Sequence, residues 1–106
     1  MPHTGASLHV SASVILCTRN RAAQLQTALE ALATMRLSEE VKWEVLIVDN
    51  GSTDATRDIV GQFIRDGYSR FRYLYEPSPG KTYALNTGIY EAHGEILAFT
   101  DDDAIV

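Results

Sequence analysis

The segment ILAFTDDDAIV at residues 96–106 decides how this chain folds, because a short apolar run leads directly into three consecutive carboxylates. Two ionised carboxylates about 4 Å apart repel each other by roughly 4 kcal/mol at an effective dielectric constant near 20. A divalent cation removes that repulsion, since hard cations prefer carboxylate oxygens. A run of aspartates is also typical of a solvated turn or a helix start, so the triplet alone leaves both interpretations open.

The spacing of the three aspartates makes a geometric prediction. Alternate side chains of an extended segment point the same way. Asp101 and Asp103 are therefore expected to face one site, and Asp102 to face another.

Composition indicates a single globular domain with a modest core. The chain has 106 residues, of which 45% are hydrophobic and 22% charged, and its net charge is −5. The basic residues are scattered, so no patch indicates nucleic acid or an anionic membrane. No run is long enough to span a bilayer, and the first residues lack signal-peptide order. We expect residues 1–12 to be a flexible lead-in, residues 13–106 to form the domain, and the protein to be cytoplasmic.

The single cysteine, Cys17, excludes an internal disulfide and any multi-cysteine metal site. It lies inside an apolar run, which predicts a buried, unreactive thiol. The three histidines are far apart in sequence and show no ligand spacing.

Apolar periodicity predicts three strand–helix units followed by a fourth strand. The strands are predicted at residues 13–17, 43–49, 71–76 and 95–100, and the helices at 21–35, from 52 or 53 to 67, and 81–93. Asn20 is the predicted N-cap of the first helix, and Ser52 or Thr53 that of the second. Gly88 is expected to mark close backbone packing, and Gly94 to end the third helix.

Such alternation predicts a doubly wound, mostly parallel α/β sheet with flanking helices, similar to a Rossmann fold. The commonest strand order, 3-2-1-4, places the ends of strands one and four side by side. Ligands of open α/β sheets bind outside the carboxyl ends of the strands at that switch point. Three loops are therefore expected to converge there, at residues 18–21, 49–52 and 101–103.

The loops argue against two familiar nucleotide sites. The first turn, CTRNR at residues 17–21, lacks the glycines of a dinucleotide-binding turn. Gly80-Lys81 lacks the upstream glycine of a phosphate-binding NTPase loop. What remains is an acidic strand end beside a basic turn. A cation held by carboxylates can bridge a substrate diphosphate. The phosphates could also meet Arg19, Arg21 or Lys81. Asp49 could accept an N–H from a nucleobase or ribose.

Four motifs in order carry a family resemblance: VILCTRNR at 14–21, VLIVDNGSTD at 45–54, GK at 80–81 with ALNTG at 84–88, and GEI at 94–96 leading to the acidic triplet. Together they resemble the amino-terminal half of a family 2 glycosyltransferase of the GT-A fold. The resemblance covers nearly everything after Ser11.

The resemblance implies transfer of a sugar from a nucleotide-sugar donor, with a UDP-sugar as the expected donor, to an acceptor hydroxyl. Such transfer usually inverts the anomeric centre in one displacement. The resemblance also implies Mn²⁺ or Mg²⁺ at an Asp-x-Asp position, matched here by Asp101 and Asp103.

The resemblance further implies a nucleotide-sugar-binding set. Thr18 and Arg19 match positions that line the nucleotide, Asp49 matches the residue that reads the base, and Lys81 lies in a segment that closes over the donor. Leu85 stands where many relatives carry arginine, and Lys81 is expected to take that role. The full predicted set is Thr18, Arg19, Asn20, Asp49, Asn50, Lys81, Asp101 and Asp102.

In the resembled family the acceptor site and the general base follow the acidic triplet. No catalytic base is therefore assigned in this chain, which we expect to bind donor and metal but to turn over poorly or not at all. In the order 3-2-1-4, strand four is an edge with apolar side chains on both faces. We expect self-association through residues 95–100.

The alternative is a non-catalytic α/β binding module, such as a receiver-like signalling domain with a Mg²⁺-binding acid cluster. Receiver-type domains need acidic residues after the first strand. This chain has Thr18 and Arg19 there.

Overall fold

Strands and helices alternate along the whole of the chain that the computed structural model describes, residues 10–36 and 41–102. The predicted alternation is confirmed over these residues. The elements are β1 (Ala12–Thr18), α1 (Ala22–Thr34), β2 (Trp43–Asp49), α2 (Thr56–Arg65), β3 (Phe71–Tyr75), α3 (Lys81–Glu91) and β4 (Ile96–Asp101).

The four strands form one parallel sheet in the order β3-β2-β1-β4, so the predicted order is confirmed. The register places Thr18 opposite Asp49 and Cys17 opposite Asp101. The polar residues that end β1, β2 and β4 therefore lie side by side at one edge of the sheet.

Two apolar layers hold the helices against this sheet, one on each face. Leu16 of β1 packs with Leu25 of α1 and Val60 of α2 on one face. Ile15, the neighbouring residue of β1, packs with Ala84 of α3 on the other. Burying one such large side chain stabilises the fold by about 1.5 to 3 kcal/mol. Because β1 and β2 are covered on both sides, they form a rigid base for the loops at their ends.

Strand β4 is an exposed edge. Ile96 is 66% exposed and Phe99 is 54% exposed, and among the described residues β4 pairs only with β1. The apolar sequence of this strand suggests burial, but the sheet order leaves it with one neighbour.

The expected N-cap of α1 was wrong. Asn20 has a φ of 52°, and its side-chain oxygen accepts a hydrogen bond from the Thr53 N–H at 2.8 Å. Arg21 holds the N-cap position, and the Ala22 N–H donates instead to Asp54 Oδ2 at 3.1 Å. A contact between two loops therefore replaces the local cap.

The expected N-cap of α2 was also wrong. The helix begins at Thr56, beyond both Ser52 and Thr53, and Ala55 holds the N-cap position. Asp54 Oδ1 accepts the Thr56 N–H at 3.1 Å and the Thr56 hydroxyl at 2.5 Å, and the hydrogen bond from this hydroxyl is the main reason that the pKa of Asp54 is lowered. One carboxylate thus serves the first turns of both α1 and α2.

Helix α3 ends at Glu91, two residues earlier than predicted, because Ala92 is already extended. Gly94 lies in the connection to β4, where a Cβ would come within 2.6 Å of the backbone nitrogen of Ser13. The close packing expected at Gly88 is confirmed, since a Cβ there would lie 2.6 Å from Ile15 Cγ2.

A buried carboxylate joins the elements at the amino-terminal edge of the sheet. Glu44 of β2 is 6% exposed. It accepts hydrogen bonds from Ser13 Oγ at 2.7 Å, the His93 N–H at 2.7 Å and Arg72 Nη1 at 3.0 Å. Burial alone would raise the pKa of Glu44, but these hydrogen bonds outweigh it and the pKa is lowered.

The boundary of the predicted lead-in shifts slightly. β1 begins at Ala12, and the Ser11 N–H donates to the Lys42 carbonyl at 2.7 Å. Residues 1–9 of the lead-in lie outside the described residues. No helix in the described part of the chain is long and apolar enough to cross a membrane.

Candidate functional site

A cavity of about 310 Å³ opens at the carboxyl ends of β1, β2 and β4. All three loops that were expected to converge contribute to it. The described lining residues are Cys17, Thr18, Arg19, Arg21, Asn50, Lys81, Ala84, Asp101 and Asp102. Asp103, predicted as a metal ligand, lies outside the described residues.

The two described aspartates border this one cavity in different ways. Asp101 has a side chain that is 52% exposed, and its Oδ1 lies 3.0 Å from Lys81 Nζ. Asp102 is 6% exposed and accepts a hydrogen bond from Thr18 Oγ1 at 2.8 Å. The alternation rule placed these two aspartates at separate sites. Both reach one cavity because β4 ends at Asp101, so the strand geometry does not extend to Asp102.

These carboxylates suit a hard divalent cation. Asp101 is the more accessible of the two carboxylates. Asp102 is held by Thr18 and has Arg21 Nη1 3.8 Å from its Oδ1. In residues 10–36 and 41–102 there is no cluster of three or more His, Cys, Asp or Glu side chains placed to hold a metal. The donor chemistry of the two aspartates fits such an ion, with further ligands coming from elsewhere.

Lys81 contributes a positively charged side chain to the cavity. It is the first residue of α3 and follows Gly80, whose φ of 127° is open only to glycine at low cost. The hydrogen bond to Asp101 raises the pKa of Lys81, which therefore stays charged at neutral pH. Arg19 and Arg21 also line the cavity. Cationic side chains facing a carboxylate pair suit a ligand that brings an anion and a cation together.

Asp49 is buried and hydrogen-bonded on both of its carboxylate oxygens. It is 1% exposed, its Oδ1 accepts the Ser52 N–H at 2.9 Å, and its Oδ2 accepts the Tyr73 hydroxyl at 2.6 Å. It is not among the residues that line the cavity. Burial, with the hydrogen bond to Asp49, raises the pKa of Tyr73, so this hydroxyl stays a neutral donor. These two hydrogen bonds connect the end of β2 to the turn that follows it and to β3.

Asn50, the next residue, does border the cavity. Its amide nitrogen donates to the carbonyls of Glu76 at 3.1 Å and Ser78 at 2.8 Å. Its amide oxygen accepts the Gly80 N–H at 3.1 Å. Asn50 therefore joins the end of β2 to the turn that precedes Lys81.

Asn20 is the other predicted binding residue that does not line the cavity. Its N–H donates to Ser52 Oγ at 2.9 Å, and its side chain accepts the Thr53 N–H. Asn20 therefore connects the loop after β1 to the loop after β2. This connection holds Arg19 and Arg21, which belong to the loop after β1, beside the cavity.

Cys17 is half-buried and lines the cavity together with Lys81 and Asp101. Burial raises the pKa of its thiol. The sequence predicts a buried thiol, whereas the structure leaves this thiol partly exposed at the cavity.

Known glycosyltransferases resemble this chain in sequence. Glycosyltransferase AglE of Haloferax volcanii is 42% identical over 92 residues, which are 86% of this chain and 30% of that protein. The chain thus spans about a third of the length of that relative.

Solved structures agree with the sequence comparison. Mannosyltransferase PcManGT from Pyrobaculum calidifontis, in complex with GDP-Man and Mn²⁺, superposes with a TM-score of 0.77 at 29% identity, covering 92% of this chain and 29% of that one. S. aureus TarS in complex with UDP-GlcNAc gives a TM-score of 0.75 at 28% identity, covering 89% of this chain and 27% of that one. The parallel sheet and its order are those of GT-A glycosyltransferases.

The family model of glycosyl transferase family 2 matches residues 13–106, nearly the whole of the sheet and all the residues that line the cavity. The chain therefore belongs to glycosyl transferase family 2.

Proposed function

We propose that the cavity binds the nucleotide diphosphate of a nucleotide-sugar, together with a divalent cation, for transfer of the sugar to an acceptor hydroxyl. The observation that carries this proposal is the meeting of Asp101, Lys81 and the basic loop after β1 around one cavity. The chain matches 30% of the length of its relative AglE. The transfer activity of the whole protein is therefore part of what we propose.

The role proposed for each residue follows from the charge of its side chain. Asp101 is the accessible cation ligand, Asp103 is proposed as its companion in the Asp-x-Asp motif, and Asp102 is held in place by Thr18. Lys81 and Arg19, which both line the cavity, are proposed to meet the phosphates. When bound, Mn²⁺ or Mg²⁺ would neutralise the charge that develops on the departing diphosphate.

We propose a UDP-sugar as donor and inversion as the stereochemical course. Neighbouring structures hold both GDP-Man and UDP-GlcNAc, so the base is a question for experiment. Asp49 remains the proposed base reader by family position, although its buried carboxylate is already hydrogen-bonded to Ser52 and Tyr73. Each oxygen keeps a lone pair for a ligand N–H, but Asp49 is 1% exposed, so ligand contact would require the residues that cover it to move.

The test is a thermal-shift and calorimetry panel of UDP, GDP and ADP, each with Mn²⁺, with Mg²⁺ and with chelator. A ligand at 100 times its Kd stabilises the folded state by about 2.7 kcal/mol, which a melting curve resolves readily. We expect UDP with cation to give the largest shift. Asp101→Asn should remove most of the cation dependence, whereas Asp58→Asn, an exposed carboxylate on α2, should not.

Two outcomes would overturn the proposal. One is an unchanged melting temperature with every nucleotide at millimolar concentration. The other is nucleotide binding that is equally strong with chelator and unaffected by Asp101→Asn.

Two further expectations belong to this proposal. We propose that residues 1–106 bind donor without efficient turnover, which release of free UDP from a UDP-sugar, measured with and without candidate acceptors, would check.

We also propose that the chain self-associates through the exposed edge of β4, where the side chains of Ile96 and Phe99 are exposed. Light scattering over a concentration series should show dimers that Phe99→Lys reduces, and an unchanging monomer would contradict this.

The receiver-like alternative has lost its support. Receiver domains of the flavodoxin-like class have the strand order 2-1-3-4-5, whereas this sheet has the order β3-β2-β1-β4. Together with the family match over residues 13–106, this order supports the proposed transferase over the receiver-like alternative.

A further inference from the structure

We propose that Asn50 is a positioning residue whose side-chain amide fixes the turn at residues 76–80, and through it the placement of Lys81 against the diphosphate. The inference rests on the proposed function, since it assigns a task within the same cavity. It concerns how the phosphate side of the cavity is held ready before ligand arrives.

Three hydrogen bonds connect the Asn50 amide to this turn. Its nitrogen donates to the carbonyl oxygens of Glu76, at 3.1 Å, and Ser78, at 2.8 Å. Its oxygen accepts the N–H of Gly80 at 3.1 Å. Asn50 is only 8% exposed, so these bonds are largely screened from competing water. The turn is therefore attached to the end of β2, which is the most deeply buried strand.

Only an amide satisfies all three partners at once. The two carbonyls can only accept, and the Gly80 N–H can only donate. An aspartate would set its carboxylate against two carbonyl oxygens, and a leucine of similar size would satisfy none of the three. A buried polar group left without its partner costs more than the bond itself contributed.

Glu76 holds the same turn from within. Its own N–H donates to the Asp49 carbonyl at 2.8 Å, and its Oε2 accepts the Ser78 N–H at 2.9 Å. Its other carboxylate oxygen accepts the hydroxyl of Thr87 on α3. The turn is thus fixed to the end of β2 and to α3, and the side-chain bonds on the β2 side come from Asn50, the residue that follows this strand.

The connection from this turn to Lys81 is direct. Gly80, which Asn50 holds, is followed immediately by Lys81, and its carbonyl accepts the Ala84 N–H at 3.3 Å in the first turn of α3. From that position Lys81 Nζ donates to Asp101 Oδ1 at 3.0 Å, and both residues line the cavity. A turn already fixed in the free protein spares the ligand the entropic cost of ordering it.

The experiment compares Asn50→Leu and Asn50→Asp with the unmutated chain. Calorimetry would measure the Kd for uridine and for UDP with Mn²⁺ at a temperature where each variant is folded. We expect both variants to bind UDP about tenfold more weakly, the effect of one lost charge-assisted contact, while the Kd for uridine changes less than twofold. Asn86→Asp, an exposed asparagine on α3, controls for the added charge.

A double-mutant cycle identifies the route of the effect. If Asn50 acts through Lys81, then Asn50→Leu should have little further effect on UDP binding in a Lys81→Gln background. Full additivity of the two substitutions would overturn the proposal. So would weakening by Asn50→Asp but not by Asn50→Leu, because that pattern reports charge alone.

One measurement needs no variant. Hydrogen exchange in the unmutated chain should find the Gly80 amide protected, as expected for a bonded amide in a fixed turn, and exchange at the rate of an unstructured peptide would overturn the proposal. If the unmutated chain binds no nucleotide, the proposed function fails. If it binds UDP and the Asn50 variants bind UDP equally well, this inference alone fails.

Discussion

The two ends of the sheet handle charge in opposite ways. At the amino-terminal edge, Glu44 is 6% exposed and its carboxylate is enclosed by Ser13, Arg72 and the His93 N–H. At the carboxyl-terminal edge, Asp101 meets Lys81 in an ion pair whose side chains are 52% and 62% exposed. The first arrangement is closed, and the second borders an open cavity.

This difference indicates which charges serve stability and which are available to a ligand. A buried carboxylate with complete hydrogen bonding is costly to disturb, because removal of one partner leaves another uncompensated. An exposed ion pair contributes little to folding and can exchange its partners. Substitutions at the amino-terminal edge should therefore change stability with little effect on binding, and those at the carboxyl-terminal edge should do the reverse.

The largest expected effect is that of Glu44→Gln. The substitution keeps the shape but removes the charge that three donors share, and we expect a loss of about 3 kcal/mol in the free energy of unfolding. Urea unfolding would measure it. Glu91→Gln is the matched control, because Glu91 is 42% exposed and pairs with the same Arg72; its cost should stay below about 1 kcal/mol. Equal losses in the two variants would contradict the contrast.

A pair of glycine substitutions compares backbone packing at the two ends. At Gly94 an added Cβ would lie 2.6 Å from the backbone atoms Ala12 C and Ser13 N, so Gly94→Ala should cost about 2 kcal/mol through overpacking. At Gly51 an added Cβ meets nothing within 4 Å, and only its φ of 80° opposes alanine. Gly51→Ala should cost about 1 kcal/mol. Thermal unfolding would rank them, and the reverse order would remove the packing argument.

Acid should weaken the amino-terminal edge through Glu44. Its pKa is lowered in the folded state from an ordinary value of 4.5, so the stability it contributes is present above that value and is lost as the pH falls through the folded pKa. The difference in unfolding free energy between the unmutated chain and Glu44→Gln should therefore shrink between roughly pH 5 and pH 3. A difference that is constant across this range would show that ionisation of Glu44 contributes nothing.

The smallest expected change in stability is that of Lys81→Gln. Because its ion pair with Asp101 is exposed, the free energy of unfolding should change by less than about 0.5 kcal/mol. The Kd for UDP with Mn²⁺ should nevertheless rise severalfold, and less so at high ionic strength, where screening already weakens the contact. A destabilised variant with unchanged UDP affinity would reverse the assignment of the two ends.

The sequence predicted the architecture well because local patterns determine it. The mostly apolar run at residues 43–49 forms strand β2, in which every residue except Trp43 is buried, and the apolar stripes of α1 and α2 face the sheet as expected. Gly88 was identified for close packing by its position alone, and the contact with Ile15 bears this out.

The failures come from contacts between distant parts of the chain. Asn20 looks like a local helix cap, but Thr53 takes its side chain. The proposed role of Asp49 as base reader stays a prediction, but its hydrogen bond from Tyr73 on the adjacent strand β3 could not be foreseen from the sequence either. Neither partner is visible from the flanking residues, because only the register of the sheet and the convergence of the loops create these pairs.

Asp54 also links two parts of the chain that are distant in sequence. Its two oxygens accept amide protons from Ala22, at the start of α1, and from Thr56, at the start of α2. The opening turns of these helices should therefore fray together, as one cooperative unit. Asp54→Ala would then accelerate solvent exchange at both amides, although they are far apart in the chain.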